Sequence, residues 1–390
     1  VLSKQGRRLA PAERQEDDMT ITMTRAAALG AGVSLAAIVA LGANAADRPD
    51  LTAPLVLKDQ GSFFVGGVET ETNATSGDPA GQIGYPNKDV IKTGQMYVQF
   101  QAPEDERNHT PIALLHGCCL SAKTWEDTPD GRMGWAEYLV RRGHAVYLPD
   151  QSSRARSGFD ATTINQVRLG KKPPSKLPEI FTFGRAAAWD LFRFGPEYPT
   201  PFSDQQFPIK ALGEFGNQVI PDLNATLPTP NPTYANLAAL ARDAGGAVLV
   251  GHSESGFFPE HAALVDSSNV LGVISIEGQC PPPSDAQIAT LAKIPTLIVF
   301  GDHLADSKVS APLWTKALAD CKAFVRRLKA AGGAALLAEL PKFGFKGNTH
   351  MLMQDRNNLE VADWMLDWIR DNVPQRPSKR AVGKNRTATD

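Results

Sequence analysis

Cysteine is scarce in this chain. There are 4 in 390 residues, Cys118, Cys119, Cys280 and Cys321, and no C-x-x-C pair. That spacing excludes a zinc ribbon. Four cysteines allow three pairings, and spacing alone does not choose among them. Net charge is almost absent too: 40 Lys and Arg against 42 Asp and Glu leave -2. Such a balance gives no electrostatic reason to expect nucleic acid or an anionic membrane as partner. No internal repeat is visible. After residue 46 no apolar run is long enough to span a membrane.

The N-terminal stretch has the pattern of an export signal. Residues 1–18 are polar and charged and precede Met19 and Met23. Arg25 follows, then an uncharged apolar run over 26–41, then Ala43-Asn44-Ala45. This is a positive n-region, an h-region and a small-residue cleavage site, so cleavage is expected after Ala45 or Ala46. The run is Ala- and Gly-rich and falls short of the roughly 20 strongly apolar residues of a membrane anchor. The expected organisation is an extension and signal peptide over 1–45, one folded domain over 46–374, and a polar, disordered tail over 375–390. The expected location is periplasmic or secreted, with no stable membrane insertion after cleavage, and there disulfides are permitted.

With 42% hydrophobic residues, the remainder suits one large domain with insertions. Short β-type runs at 62–65, 95–101, 112–116, 145–149, 247–251, 270–276, 296–301 and 334–340 alternate with helical stretches. That order predicts a mostly parallel sheet flanked by helices. The runs at 112, 247, 270 and 296 are almost unbroken Val, Ile, Leu and Ala, as strands buried on both faces should be. Between the fourth and fifth runs lies a long Pro-rich insertion, about 152–232. It carries Phe181, Phe183, Trp189, Phe192, Phe194, Tyr198, Phe202 and Phe207. An irregular insertion of that length suggests a cap or lid. Most of these rings are expected to pack it onto the body, with two or three lining a pocket.

The sharpest chemical signal is Gly251-His252-Ser253-Glu254-Ser255-Gly256 at the end of the fifth run. A buried strand entering a tight small-residue turn is the context in which G-x-S-x-G lifts a nucleophilic serine above a sheet edge. Ser255 stands where that motif has its last glycine. A serine hydroxyl needs a histidine to take its proton and an acid to orient that histidine. In this fold the chain order is serine, acid, histidine. His261 should lie on the following helix, facing away. His303 follows the seventh run. His350 sits in a loop after the last run, where the order rule puts the base. For the acid, Asp302 and Glu277 both end strands, where ligands gather in open α/β sheets. Residue pattern alone slightly favours Asp302.

The third run ends in His116-Gly117-Cys118-Cys119-Leu120. A loop of this kind supplies one backbone N–H to an oxyanion hole, and the residue after the nucleophile, Glu254, supplies the other. Adjacent cysteines are unusual there, because neighbouring Cα atoms lie about 3.8 Å apart, below the usual disulfide range.

On these residues the chain resembles a group of bacterial α/β-hydrolases, the esterase 713-like enzymes with vicinal cysteines in the oxyanion loop. Further shared motifs are Thr124-Trp125-Glu126, Thr128-Pro129-Asp130-Gly131-Arg132-Met133-Gly134-Trp135, Phe192-Arg193-Phe194-Gly195-Pro196, Gly347-Asn348-Thr349-His350-Met351 and Gln354-Asp355-Arg356-Asn357-Asn358. The resemblance runs roughly from Leu55 to Asn372. It implies the α/β-hydrolase fold, Ser253 as nucleophile, His350 as base and Glu277, rather than Asp302, as acid. It also implies a Cys118–Cys119 disulfide, a second pair Cys280–Cys321, and an oxyanion hole from the amides of Cys118 and Glu254. That group often has glutamine where this chain has Glu254.

The function expected from these readings is a serine esterase working through an acyl-enzyme, without metal or organic cofactor. Its partner would be a small apolar ester, cyclic or aromatic, and homodimerisation is left open. The rivals are a lactonase or amidase on the same triad, a non-catalytic binding protein, and a metallohydrolase using His303 and Asp302.

Overall fold

A computed structural model describes residues 49–72, 88–105, 110–223 and 226–374. The expected signal peptide and the expected tail lie outside these residues. Eight strands form one sheet: β1 Leu57–Thr72, β2 Asp89–Pro103, β3 Ile112–Leu115, β4 Val146–Pro149, β5 Ala247–His252, β6 Val270–Ile276, β7 Thr296–Phe300 and β8 Ala335–Glu339. Their order is β1-β2-β4-β3-β5-β6-β7-β8. The pairs β1·β2 and β2·β4 are antiparallel, and every pair from β4 through β8 is parallel. Each expected run falls in a strand. The first two are much longer than expected, since β1 and β2 form a hairpin paired from Leu57↔Pro103 to Thr72↔Asp89.

The helices are α1 Lys123–Glu126, α2 Trp135–Arg141, α3 Thr162–Arg168, α4 Arg185–Leu191, α5 Leu212–Asn217, α6 Pro232–Asp243, α7 Phe258–Val265, α8 Asp285–Leu291, α9 Ala311–Ala330 and α10 Asn358–Asn372. The two sheet faces carry separate apolar clusters, and strand periodicity assigns residues to them. Ile112 and Leu114, Val248 and Val250, Ile274 and Ile276, and Leu297 and Val299 face α2 and α10 through Trp135, Tyr138, Met365 and Trp368. Their alternates Ala113 and Leu115, Ala247 and Leu249, and Ile298 and Phe300 face α6 to α9 through Leu237, Phe258, Ile288 and Phe324. The continuous apolar runs thus reflect burial on both sides. No helix among the described residues is long and apolar enough to cross a membrane.

The segment between β4 and β5 contains α3 to α6. Of its aromatics, Trp189, Phe192, Phe194, Phe207 and Phe215 are buried in the α2/α10 cluster. Phe194 stacks on Phe207 at 4.1 Å between ring centroids. Phe181 and Tyr198 stay exposed. Most of the rings therefore anchor the segment to the body, as expected for the greater part of them.

Candidate active site

β5 ends at His252, and the chain turns at once into a short 3-10 helix, Ser253–Phe257. Ser253 adopts φ 57°, a left-handed conformation that costs a non-glycine residue about 1–3 kcal/mol and is found chiefly at functional sites. The turn needs its glycines. A Cβ on Gly251 would lie 2.1 Å from the Ser255 carbonyl oxygen, and one on Gly256 would lie 2.4 Å from the Cα of Gly278. Ser255 does more than fit. Its buried Oγ accepts from the His252 amide at 3.0 Å and lies within donating distance of the carbonyls of Leu115 (3.1 Å) and His252 (3.0 Å). The residue that departs from the usual motif ties the turn to the end of β3.

His350 comes from the loop after β8, and its Nε2 lies 2.8 Å from Ser253 Oγ. Its Nδ1 lies 3.1 Å from Glu277 Oε2. A carboxylate only accepts, so Nδ1 carries the proton and the Nε2 lone pair faces the serine hydroxyl. His350 is fully buried, and burial pushes its pKa below the ordinary imidazole value, although Glu277 opposes this. Phe192 stacks on the imidazole at 5.1 Å and Trp314 flanks it at 4.6 Å.

Glu277 follows β6, beside β5, and turns at φ 56°. Burial pushes its carboxyl upward, but Arg193 and His350 outweigh that and hold it at about 2. Arg193 Nη2 donates to Oε1 at 2.6 Å, and the Gly301 amide donates to the same oxygen. Asp302, favoured by residue pattern, is engaged elsewhere. Its Oδ1 accepts from the His303 amide at 2.8 Å and its Oδ2 from the Gly347 amide at 3.0 Å. It braces the loop carrying His350 and does not reach the ring. His303 stacks on Phe202 at 3.8 Å and pairs with Asp204 and Asp306. Asp204, Asp302 and His303 do come together, but in a partly exposed cluster apart from Ser253. His261 packs on Tyr234 and Phe257, away from the serine, as expected.

On the opposite side of the serine, Gly117 packs against the turn, where a Cβ would lie 2.7 Å from the Ser253 Cβ. His116 fixes the start of this loop: its Nδ1 donates to the Gly117 carbonyl at 2.9 Å and its Nε2 accepts from the Gln151 amide at 3.1 Å. Burial drives its pKa down to about 4, which keeps it neutral. Glu254 is the second residue of the 3-10 turn, where backbone N–H groups have no partner within the helix. Cys118 Sγ donates to Asp222 at 3.0 Å, Asp222 pairs with Arg154 at 2.6 Å, and Arg154 reaches Glu254 at 3.1 Å. This chain of contacts links the two backbone segments expected to hold an oxyanion.

The cysteines divide. Cys280–Cys321 is closed, with Cα atoms 5.0 Å apart, as the resemblance implied. Cys118 and Cys119 lie side by side with sulfurs 2.7 Å apart, longer than the roughly 2.05 Å of a closed disulfide. Adjacent residues meet the geometry of a disulfide only with a distorted peptide.

Four residues that sequence reasoning gave no role emerge at the site. Arg193 and Arg154 have fully buried side chains; a lone arginine within an aromatic run, Phe192-Arg193-Phe194, was the available sign. His252 contacts the His350 carbonyl through Nε2 at 2.9 Å, and burial lowers its pKa to about 3. Asp355 accepts from the amide and hydroxyl of Thr349 at 2.8 and 2.7 Å and from Asn348 at 3.0 Å, fixing the loop beside His350.

No protein-family model matches the chain. A probable secreted lipase, phiG, of Fungal sp. (strain ATCC 74256) is 26% identical over 321 residues, covering 70% of this chain and 85% of the lipase. A bacterial esterase solved at atomic resolution shares 46% identity with a TM-score of 0.77, covering 83% of this chain and 98% of that one. With nearly half its residues shared along almost the whole of that bacterial enzyme, the chain belongs to the same esterase family of the α/β-hydrolase superfamily.

Proposed function

We propose that the chain hydrolyses carboxylic esters by a two-step acyl transfer, with Ser253 as nucleophile, His350 as base and Glu277 as the acid that orients it. One observation carries the reading: Ser253 Oγ, His350 and Glu277 form a continuous relay of 2.8 and 3.1 Å. His350 takes the serine proton as Oγ attacks the carbonyl, and Glu277 stabilises the imidazolium. The oxyanion rests on the amides of Cys118 and Glu254. His350 then protonates the departing alcohol, water attacks the acyl-enzyme with His350 again as base, and the acid is released. Every proton moved is held by this chain's own residues.

Arg193 is a positioning residue in this scheme. It pins one oxygen of Glu277 and leaves the other for His350. The contact of Cys118 with Cys119 pushes its thiol well above the usual range, so it is protonated and a poor nucleophile. What favours joining is the 2.7 Å between the two sulfurs, once a thiol–disulfide oxidant of the exported compartment takes up the two electrons and two protons. We infer that this bond forms after export and fixes the Cys118 amide. The Cys280–Cys321 disulfide and the likeness to a probable secreted lipase support an exported protein. The aromatic content of the segment between β4 and β5 supports an apolar acyl or alcohol group, aromatic or cyclic.

A rapid-mix assay with an activated aryl ester tests the scheme. It should show a burst of phenol of about one per chain, followed by slower turnover, and Ser253→Ala should abolish both phases. Turnover independent of Ser253 would overturn the reading. Equal turnover of the matched anilide would make the enzyme an amidase on the same triad.

A further inference from the structure

Behind the nucleophile turn lies a cavity of about 140 Å3 that the reaction does not use. It is bounded by α7, which follows the Ser253 turn, and by the segment around Cys280. Its walls include Phe257, Leu264, Pro282 and Phe324, together with two groups that titrate, Glu260 and His261. The rim at Pro281 and Pro282 is exposed, which opens the cavity to solvent.

Glu260 is the anomaly. It is only 6% exposed, it lines the cavity, and its Oε2 has no hydrogen-bond partner among the described residues. Buried polar atoms are almost always partnered, and a carboxyl in an apolar wall either stays protonated or is paired with a compensating charge. His261 does not supply that charge, because burial lowers its pKa and leaves a neutral ring that packs on Phe257 at 5.3 Å. An acid set among aromatic and aliphatic walls matches one ligand chemistry. A cationic nitrogen would meet the carboxylate and the ring faces, while an attached hydrocarbon fills the apolar part. The volume sets its size, since an engineered apolar cavity of about 150 Å3 takes one benzene.

We propose that this cavity binds a small organic ammonium with a single apolar ring, and that Glu260 is its counter-ion. The site is separate from the ester-cleaving centre and does not depend on how that centre works. Burial raises the Glu260 pKa to about 8, so near neutral pH the carboxyl enters the reaction protonated. Binding then converts a carboxylic acid and an alkylammonium into a carboxylate–ammonium pair and releases one proton to the buffer.

Calorimetric titration of the full chain with benzylamine at pH 7, in two buffers of different ionisation enthalpy, tests this. Benzyl alcohol serves as the uncharged control. Benzylamine should bind about tenfold or more tightly than the alcohol and release about one proton. Glu260→Gln should remove both the preference and the proton release. Leu264→Trp, which fills the cavity and leaves the acid in place, should block both ligands. Thermal melts check that each variant is folded. Absence of benzylamine binding to the native chain would overturn the proposal, as would binding with unchanged affinity and proton release in folded Glu260→Gln.

Discussion

Replacing Arg193 by methionine probes the acid end of the relay. Arg193 and Glu277 are both fully buried and 2.6 Å apart. Glu277 falls from an ordinary 4.5 to about 2 even though burial opposes the shift, and Arg193 is the largest contribution on the favourable side. That depression corresponds to about 3 kcal/mol of preference for the ionised form, consistent with the roughly 3–5 kcal/mol lost when one member of a buried pair is removed. With about 2 cal/mol/K of unfolding entropy per residue, 3 kcal/mol lowers the melting temperature of a domain this size by about 4–5 °C. The pH dependence follows from the direction of the shift. A carboxyl depressed in the folded state contributes stability above its unfolded pKa and loses it as pH falls toward the folded value. The unfolded chain is common to both proteins, so the stability gap between wild type and Arg193→Met should narrow as pH falls from the variant's raised Glu277 pKa toward the wild-type value of about 2, where Glu277 is protonated in both. Arg193 also helps to hold the His350 pKa down. The wild-type kcat/KM should rise with pH through a midpoint below the ordinary imidazole value, and the variant's midpoint should move upward. Denaturant titrations at pH 7 and pH 3, with a pH–rate profile, read both effects. A stability loss with an unmoved midpoint would reduce Arg193 to a packing role. No stability loss at pH 7 would refute the electrostatic reasoning itself.

Three further outcomes follow from the same geometry. Glu277→Gln should cost about 10⁴ in kcat, because the amide no longer enforces the productive imidazole tautomer; Asp302→Asn should cost far less, and the reverse ranking in steady-state kinetics would return the acid to Asp302. Thiol titration of the unfolded protein, recovered from an oxidising compartment, should find no free cysteine if Cys118 and Cys119 join after export, and mild reduction should lower turnover more than the melting temperature; unchanged turnover with two verified thiols would make that bond irrelevant to catalysis. Removing the Cys280–Cys321 link, which spans 41 residues, should lower stability by about 3–4 kcal/mol in denaturant titrations while the Ser253 burst persists.

Local pattern exposes some of this molecule and not the rest. β5, β6 and β7 could be read directly, because strands buried on both faces carry almost only apolar residues. The Ser253 turn was legible because steric demands at Gly251 and Gly256 leave a mark in residue size. His350 was found by chain order. The choice of acid could not be read from pattern, which slightly favoured Asp302 while the resemblance implied Glu277: both follow a strand, and in the structure it is the Glu277 carboxylate that turns toward the ring. That difference arises from the left-handed turn at Glu277 and from the amides of His303 and Gly347 that hold Asp302. Arg193 was invisible for a related reason: its partners lie 84 and 109 residues away, at Glu277 and the Asp302 carbonyl. The full length of the β1–β2 hairpin was also missed, because much of it is solvent-exposed and has no apolar signature.

The central claim is that Ser253 Oγ is a nucleophile activated by His350. Intact-mass analysis after treatment with a fluorophosphonate tests it most directly. The account predicts one covalent adduct per chain, mapped to Ser253, absent in Ser253→Ala and formed far more slowly in His350→Ala. A native chain that stays unlabelled, or an adduct that survives in Ser253→Ala, would contradict it.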